Sequence, residues 1–494
     1  MKQAISSKYT YAIIILMAIL FVTFLSSTSP FYSHWYPVDS TIYQIIGKGW
    51  TEGKIPYVDL WDQKGPYLYF INAAGYWFTG NKVGLYLIEI LHYLFVFFLL
   101  YVLFRRKCSV KISLFLLLIT AAHMSQLLEG GNNIELYVLP LLIYAFTRIW
   151  DWAEKYAEKG VVDHPVVWSF SYGLILSISM LTRLTNAVGI CIAVAIIFVI
   201  LCFKRRWHAI ILNGISFLAG FLVLALPFWI YFYVHDGLYE MIFASILYNI
   251  EYLGNTQPTL LTPFLTPYVL ISQILAYIGT YGLFLVSSIL CFIDKQKIKF
   301  HLIWSIIGGL TMFYFLNTFM YGHYAYIAVP YFAILMLEFK RMVSVYRDNN
   351  KIVSSSLITL GVFFCTLLVL NGGYQMFQSV NVDYNVENEL EGGGDIINHI
   401  PEAERDDLVV WQGSSSIYLH NMITPPCRFF VLQEWYPKFS RKIRPMIYHA
   451  FEEKKPKYIL ISSQSKDVFI YNFVRSNYCQ MYCNEIGKLY VRKN

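Results

Sequence analysis

Charge is what this sequence has least of. Of its 494 residues only 14% are Asp, Glu, Lys or Arg, while 57% are hydrophobic. A soluble protein carries about 25% charged residues, so a water-soluble body of this length is excluded. No internal repeat and no low-complexity tract is present, which removes repeat arrays and linker-like chains. The eight cysteines form no framework. Cys108, Cys191, Cys202, Cys291 and Cys365 lie in or beside apolar runs. Cys427, Cys479 and Cys483 lie near the C-terminus, where two could pair and leave one over. Cys479 and Cys483 have half of a zinc spacing, and no second Cys/His pair completes it. The net charge of +7 does not point to nucleic acid, because Lys and Arg sit in short clusters at the ends of apolar runs.

What the chain has instead is length in apolar runs. Stretches of about 20 apolar residues, each enough to cross a bilayer, recur over the first three quarters. The first, residues 9–29, follows only Lys2 and Lys8. It is longer than the h-region of a signal peptide and lacks a convincing cleavage site, so it reads as a retained span. Ten more fall at 84–104, 112–128, 133–150, 166–182, 186–203, 209–234, 266–293, 300–320, 325–339 and 352–371. The expectation is a polytopic α-helical membrane protein of about eleven spans, ending on the side opposite its start. Arg105, Arg106, Lys107, Lys204, Arg205, Arg206, Lys295, Lys297, Lys340 and Arg341 fall in loops of one side. The loops of the other side, up to residue 371, hold only Lys48, Lys54, Lys64, Lys82 and Arg183. That bias puts the N-terminus in the cytoplasm and the C-terminus outside a plasma or inner membrane.

Two outer segments are long, residues 30–83 and 235–263. Within them Thr41–Gly53, Tyr67–Phe78 and Tyr239–Tyr252 read as amphipathic helices at the membrane surface. The expected division is a transmembrane module over 1–371 and a small extracytoplasmic α/β domain over 372–494. In the latter, Leu408–Gln412 and Lys457–Ser462 read as strands and Lys438–Lys455 as a helix. Glu391-Gly-Gly-Gly-Asp395 lacks the Lys-Ser/Thr of a phosphate loop and reads as a hinge or helix start.

Ionisable groups beside a membrane are costly, so those at the outer ends of spans need a reason. Asp39 heads the first outer loop, which continues through Tyr57, Asp59, Asp62, Lys64, Gly65 and Pro66. Glu129 and Glu135 flank a Gly-Asn turn, where Glu135 also suits a helix N-terminus. Arg183 lies where a topology rule would not put it, and it either snorkels to headgroups or binds an anion. His323 faces the same side.

In their order these stretches resemble the GT-C glycosyltransferases that use polyprenyl-phosphate sugars, the superfamily of protein O-mannosyltransferases and the lipid A aminoarabinose transferase. The resemblance rests on Asp39, on GKIPYVDLWDQKGPYLYFIN, GGNNIE, RLTN and GHYAYIAVP, and on VVWQGSSSIYLH near the C-terminus. It covers nearly the whole chain. It implies inverting transfer at the outer face with Asp39 as general base. Lys64, Arg183 and His323 would bind the donor phosphate. Asp62, Glu135, Tyr57 and Tyr324 would bind or orient substrate. Partners would be a polyprenyl-phosphate sugar, a glycan, lipid or protein acceptor, and membrane lipid. Many members carry a second acidic residue directly after the first Asp. Here it is Ser40, so a divalent cation is left without the acidic pair that would support it. Lys64-Gly65-Pro66 stands where the family has Lys-Pro-Pro. The competing classes are a transporter or flippase of lipid-linked glycans, which calls for mid-span charges or inverted repeats, and a polymerase or ligase of lipid-diphosphate glycans, which calls for Arg-rich outer loops.

Overall fold

The computed structural model describes residues 2–256, 267–316 and 321–493. Apolar runs without mid-run breakers satisfy their own backbone hydrogen bonds as helices. The first nine helices are α1 (Lys2–Leu25), α2 (Val38–Thr51), α3 (Pro66–Thr79), α4 (Val83–Arg105), α5 (Val110–Ser125), α6 (Leu139–Lys159), α7 (Val166–Met180), α8 (Val188–Phe203) and α9 (Trp207–Val234). Further on come Leu238–Ile242, Tyr248–Thr256, Pro267–Ala276, Ile278–Ile293, Ile298–Phe315, Val329–Asn349 and Lys351–Asn398. Residues 257–263 of the second outer segment, the first residue of the 266–293 span and the last four of the 300–320 span lie outside the described residues.

Among the described residues six helices are long and apolar enough to cross a membrane: Lys8–Leu25, Val83–Arg105, Leu184–Phe203, Trp207–Val234, Lys295–Phe315 and Lys351–Asn381. Three more, Val110–Ser125, Val166–Met180 and Ile278–Ile293, are apolar but shorter. α6 and Val329–Asn349 end in charged turns that break their apolarity. Length and apolarity together mark six of the eleven expected crossings among the described residues. α9 exposes Ile211, Ile215, Leu218, Val223 and Ile230, as a lipid-facing helix does. Its inner side meets α7 closely, since a Cβ on Gly173 would stand 1.9 Å from the Phe217 carbonyl oxygen.

Helices stand where the outer segments were expected to hold them, as α2, α3 and the Leu238–Thr256 stretch, which passes through a π-turn at Phe243–Leu247. The last long helix runs on through Gly392–Gly394 to Asn398 rather than hinging or starting there. Beyond it lies a four-stranded sheet of β1 (Leu408–Trp411), β2 (Tyr458–Ser462), β3 (Tyr478–Cys483) and β4 (Gly487–Arg492), in the order β1-β2-β4-β3. β1 and β2 are parallel, joined through the helix Ile443–Lys454, and both are buried along their whole length. That helix starts five residues later than the sequence suggests, because Tyr436–Lys438 forms a separate 3-10 turn. β4 pairs antiparallel with β2 and β3.

This α/β unit sits on the end of the bundle that carries α2 and α3. The Trp61 N–H donates to the Arg428 carbonyl at 2.8 Å. Lys48 Nζ donates to Thr424 Oγ1 at 2.6 Å, and Arg428 pairs with Glu240. The Tyr248 hydroxyl donates to the Tyr436 carbonyl at 3.1 Å.

Candidate functional site

Asp39 stands exposed in the first turn of α2, where free N–H groups favour an anion. The residue behind it anchors the turn. Ser40 is buried, and its hydroxyl accepts from Gln44 Nε2 and Asn132 Nδ2, each at 3.1 Å. Asn132 also donates to Asn72 Oδ1 at 2.9 Å and accepts from the Tyr137 hydroxyl at 2.6 Å. Its backbone N–H reaches the buried Glu89 carboxylate at 2.5 Å. The position where the family pattern has a second acid is thus filled by a hydroxyl with partners already in place.

Lys64 is fixed through its backbone. Its N–H donates to the Tyr69 hydroxyl at 3.2 Å, and its carbonyl accepts from the Tyr57 hydroxyl at 2.7 Å. Tyr57 itself has a φ of 70°, a left-handed conformation that few non-glycine residues adopt without compensation. The next residue ties Lys64 to Arg183. Gly65 N–H donates to the Thr182 carbonyl at 3.1 Å, and Tyr67 N–H donates to the Leu181 carbonyl at 2.9 Å. A Cβ on Gly65 would lie 2.1 Å from the Leu181 carbonyl carbon. Only a residue without a side chain lets the two loops meet backbone to backbone.

Arg183 pairs with the fully buried Glu135 at 3.0 Å, and its guanidinium lies 3.2 Å from the centre of the Tyr324 ring. The second carboxylate oxygen of Glu135, Oε2, is buried without a hydrogen-bond partner among the described residues. His323 Nδ1 meets the Glu129 carboxylate at 2.5 Å, and Glu129 also accepts from the Gly322 N–H at 2.6 Å. Asp62 is buried, and both its oxygens are taken: Oδ2 by the Tyr69 hydroxyl at 2.7 Å and Oδ1 by the Tyr436 hydroxyl at 2.9 Å.

These groups feel one another. Burial pulls the Lys64 ammonium down, but Tyr324, Asp39 and Asp62 outweigh it and hold the lysine above its ordinary value. Burial likewise opposes the charge on Arg183, and Tyr324 and Glu135 more than restore it. Burial pushes the Asp62 carboxyl up, only partly offset by Lys64 and the tyrosine hydroxyls. His323 is lowered by burial yet raised overall by its hydrogen bond to Glu129 and the fields of Glu135, Glu129 and Asp39. Asp39, Lys64, Arg183, His323 and Tyr324 therefore share one electrostatic neighbourhood. Tyr57 takes part through the Lys64 backbone, and Asp62 through tyrosines rather than through an ion pair with Lys64. Among the described residues, neither the Asp39 carboxylate nor the Lys64 ammonium has a hydrogen-bonding or ion-pair partner.

Sequence reasoning missed Tyr69, Tyr436 and the Glu129–His323 bond. Tyr436 lies 374 residues from Asp62, and no local pattern signals such a contact. Gly65 did carry a signal, standing where the family pattern has proline. Among the described residues no group of three or more His, Cys, Asp or Glu is placed to hold a metal ion.

The architecture is shared, at the level of fold, with solved structures of other membrane proteins. In particular, ArnT from Cupriavidus metallidurans, in a crystal structure bound to undecaprenyl phosphate, superposes with a TM-score of 0.61 at 13% identity, covering 98% of this chain and 97% of that one. Its apo structure gives 0.61 at 12% identity, over 99% and 98%. An Archaeoglobus fulgidus oligosaccharyltransferase, AglB, in complex with an inhibitory peptide and a dolichol-phosphate, gives 0.46 at 13% identity, over 92% of this chain and 70% of that one. No protein-family profile matches the chain. Comparison with curated proteins finds no match in sequence.

Proposed function

We propose that this chain is a membrane glycosyltransferase that moves a sugar from a polyprenyl-phosphate donor to an acceptor outside the cytoplasm, with inversion at the anomeric carbon. One observation carries the reading. Among the described residues the Asp39 carboxylate and the Lys64 ammonium have no partner, and Lys64 lies in the field of Asp39 and Arg183. Unpaired charge at a membrane surface is costly unless a ligand completes it.

In this reading Asp39 accepts the proton of an acceptor hydroxyl as its oxygen attacks the anomeric carbon. The bond from that carbon to the phosphate oxygen breaks, and its electron pair leaves with the polyprenyl phosphate. Lys64 and Arg183 stabilise the charge growing on the phosphate, with His323 as a further donor. Glu135 holds Arg183 through one oxygen and keeps the other for a sugar or acceptor hydroxyl. Tyr57 and Asp62 orient the Lys64 loop, and Tyr324 supports Arg183. The N-terminus is cytoplasmic, about eleven crossings follow, and the C-terminal α/β domain caps the site from outside. The likeness of fold to a protein solved with undecaprenyl phosphate supports the donor class.

The test is genetic. Deleting the gene should remove one sugar from a surface glycan, a lipid-linked glycan or a protein. The intact chain should restore it, and Asp39→Asn, inserted at normal levels, should not, since a general base supplies about 10²–10⁴-fold. Full restoration by Asp39→Asn would end the base assignment.

A further inference from the structure

Asp62 and Lys64 are two residues apart, oppositely charged and within each other's field, yet they form no ion pair. A buried carboxylate beside a half-buried ammonium should close on it unless other donors already hold it in place. Here they do. Tyr69, on α3, takes one oxygen, and Tyr436, from the C-terminal unit, takes the other. Tyr436 is wholly buried, its ring stands edge-on to Trp61 at 4.7 Å, and its backbone carbonyl is held by Tyr248. Nothing in this arrangement leaves the tyrosine free to turn away.

We propose that Tyr436 is a positioning residue of the lipid-phosphate site. With Tyr69 it occupies both oxygens of Asp62, keeps that carboxylate from capturing Lys64, and so leaves the ammonium free for the donor phosphate. The C-terminal unit is then part of the donor site and not only a lid over it. The inference rests on Lys64 as a phosphate-binding residue.

Without the Tyr436 hydroxyl, Asp62 stays buried and loses one of its two hydroxyl donors. The cation whose field reaches it is Lys64, and a lysine paired internally no longer meets a phosphate. This competition has a signature that mere loosening lacks. Removing the charge of Asp62 should cure the defect.

The experiment uses the full chain in lipid nanodiscs, titrated with undecaprenyl phosphate. Tyr436→Phe should weaken binding about tenfold, the scale of a lost charge-assisted contact. The double variant Asp62→Asn with Tyr436→Phe should recover most of that loss. Tyr69→Phe, alone and with Asp62→Asn, repeats the test from the other oxygen, should Tyr436→Phe fold poorly. Tyr478→Phe removes a buried hydroxyl elsewhere in the same unit, bonded to the Pro456 carbonyl at 2.6 Å, and should leave binding unchanged. Wild-type affinity in Tyr436→Phe, or no recovery in the double variant, overturns the inference. So does an equal loss in Tyr478→Phe, which would mark general loosening. Lys64→Ala separates the two levels. If it binds as wild type, the phosphate reading itself fails and this inference with it. If it loses binding while Tyr436→Phe does not, only the inference falls.

Discussion

The two ends of the helical bundle differ in how completely they pair their charges. At the end away from the site, Arg106 meets Asp151 at 2.8 Å, Lys107 meets Glu154 at 2.6 Å, and Arg341 meets Asp294 at 2.6 Å. His301, fully buried, lies between Glu338 at 2.7 Å and Asp294 at 3.2 Å. These pairs tie helix ends together across the turns at Arg105–Ser109 and Asp294–Lys297. At the site end Arg183 and His323 are paired, but among the described residues Asp39 and Lys64 have no partner and Glu135 leaves one buried oxygen open. Charges that serve only the fold find partners, because desolvation penalises those that do not. Charges held apart by other groups, as Asp62 is held by two tyrosines, point to an external partner.

The site end should break most visibly where its two loops touch. Gly65→Ala puts a methyl group 2.1 Å from the Leu181 carbonyl carbon, closer than any real contact, and backbone cannot rotate away as a side chain would. The loops must part, at a cost of about 1–3 kcal/mol, and Lys64 moves away from Arg183. A thermal melt and an undecaprenyl phosphate titration read both effects. A variant that melts and binds like the wild type would show that the loop junction does not set the Lys64–Arg183 spacing.

A smaller and sharper effect concerns pH. Burial opposes the charge on both members of the Glu129–His323 pair, yet their mutual bond lowers Glu129 and raises His323. For His323, whose folded value is raised, the stabilisation is fully present below its unfolded value and is lost as pH rises through the raised one. For Glu129, whose folded value is depressed, it is present above the unfolded value and is lost as pH falls through the depressed one. Between those limits the imidazolium stands ready as a donor. Undecaprenyl phosphate affinity should therefore fall on the alkaline side as His323 deprotonates. Glu129→Gln should move that limb to lower pH, on the order of one unit. An unmoved limb would remove His323 from the phosphate site.

Much of this architecture is legible in the sequence, for physical reasons that also mark where legibility stops. Apolar period and length located the helices, and the amphipathic patterns of Thr41–Gly53 and Tyr67–Phe78 correspond to α2 and α3. β1 and β2 were readable because buried strands are continuously apolar. The β3–β4 hairpin was not, since β3 is mostly exposed and its Tyr-Cys-Gln-Met-Tyr-Cys sequence shows no apolar-polar alternation. The glycines at 392–394 suggested a break, but the helix through them continues to Asn398. In the site, ionisable residues at the outer ends of spans announced themselves by their cost. The neutral groups that position them did not. Tyr69 and Tyr436 are ordinary core residues by composition, and only the folded chain brings their hydroxyls to Asp62.

The smallest effect tests the other side of the comparison. Lys297 pairs with Glu154 at 3.2 Å and with Glu158, whose own exposure lets solvent screen that second contact. Lys297→Ala leaves neither acid stranded in a dry interior, because Glu154 keeps Lys107 at 2.6 Å and Glu158 is itself 41% exposed. The expected loss of stability is about 0–1 kcal/mol, with undecaprenyl phosphate affinity unchanged across the whole pH range. A change in affinity would mean that pairing at this end is felt at Lys64 and Arg183 through the helices between them. The two ends would then be one coupled device, and the paired charges could no longer be read as scaffold alone.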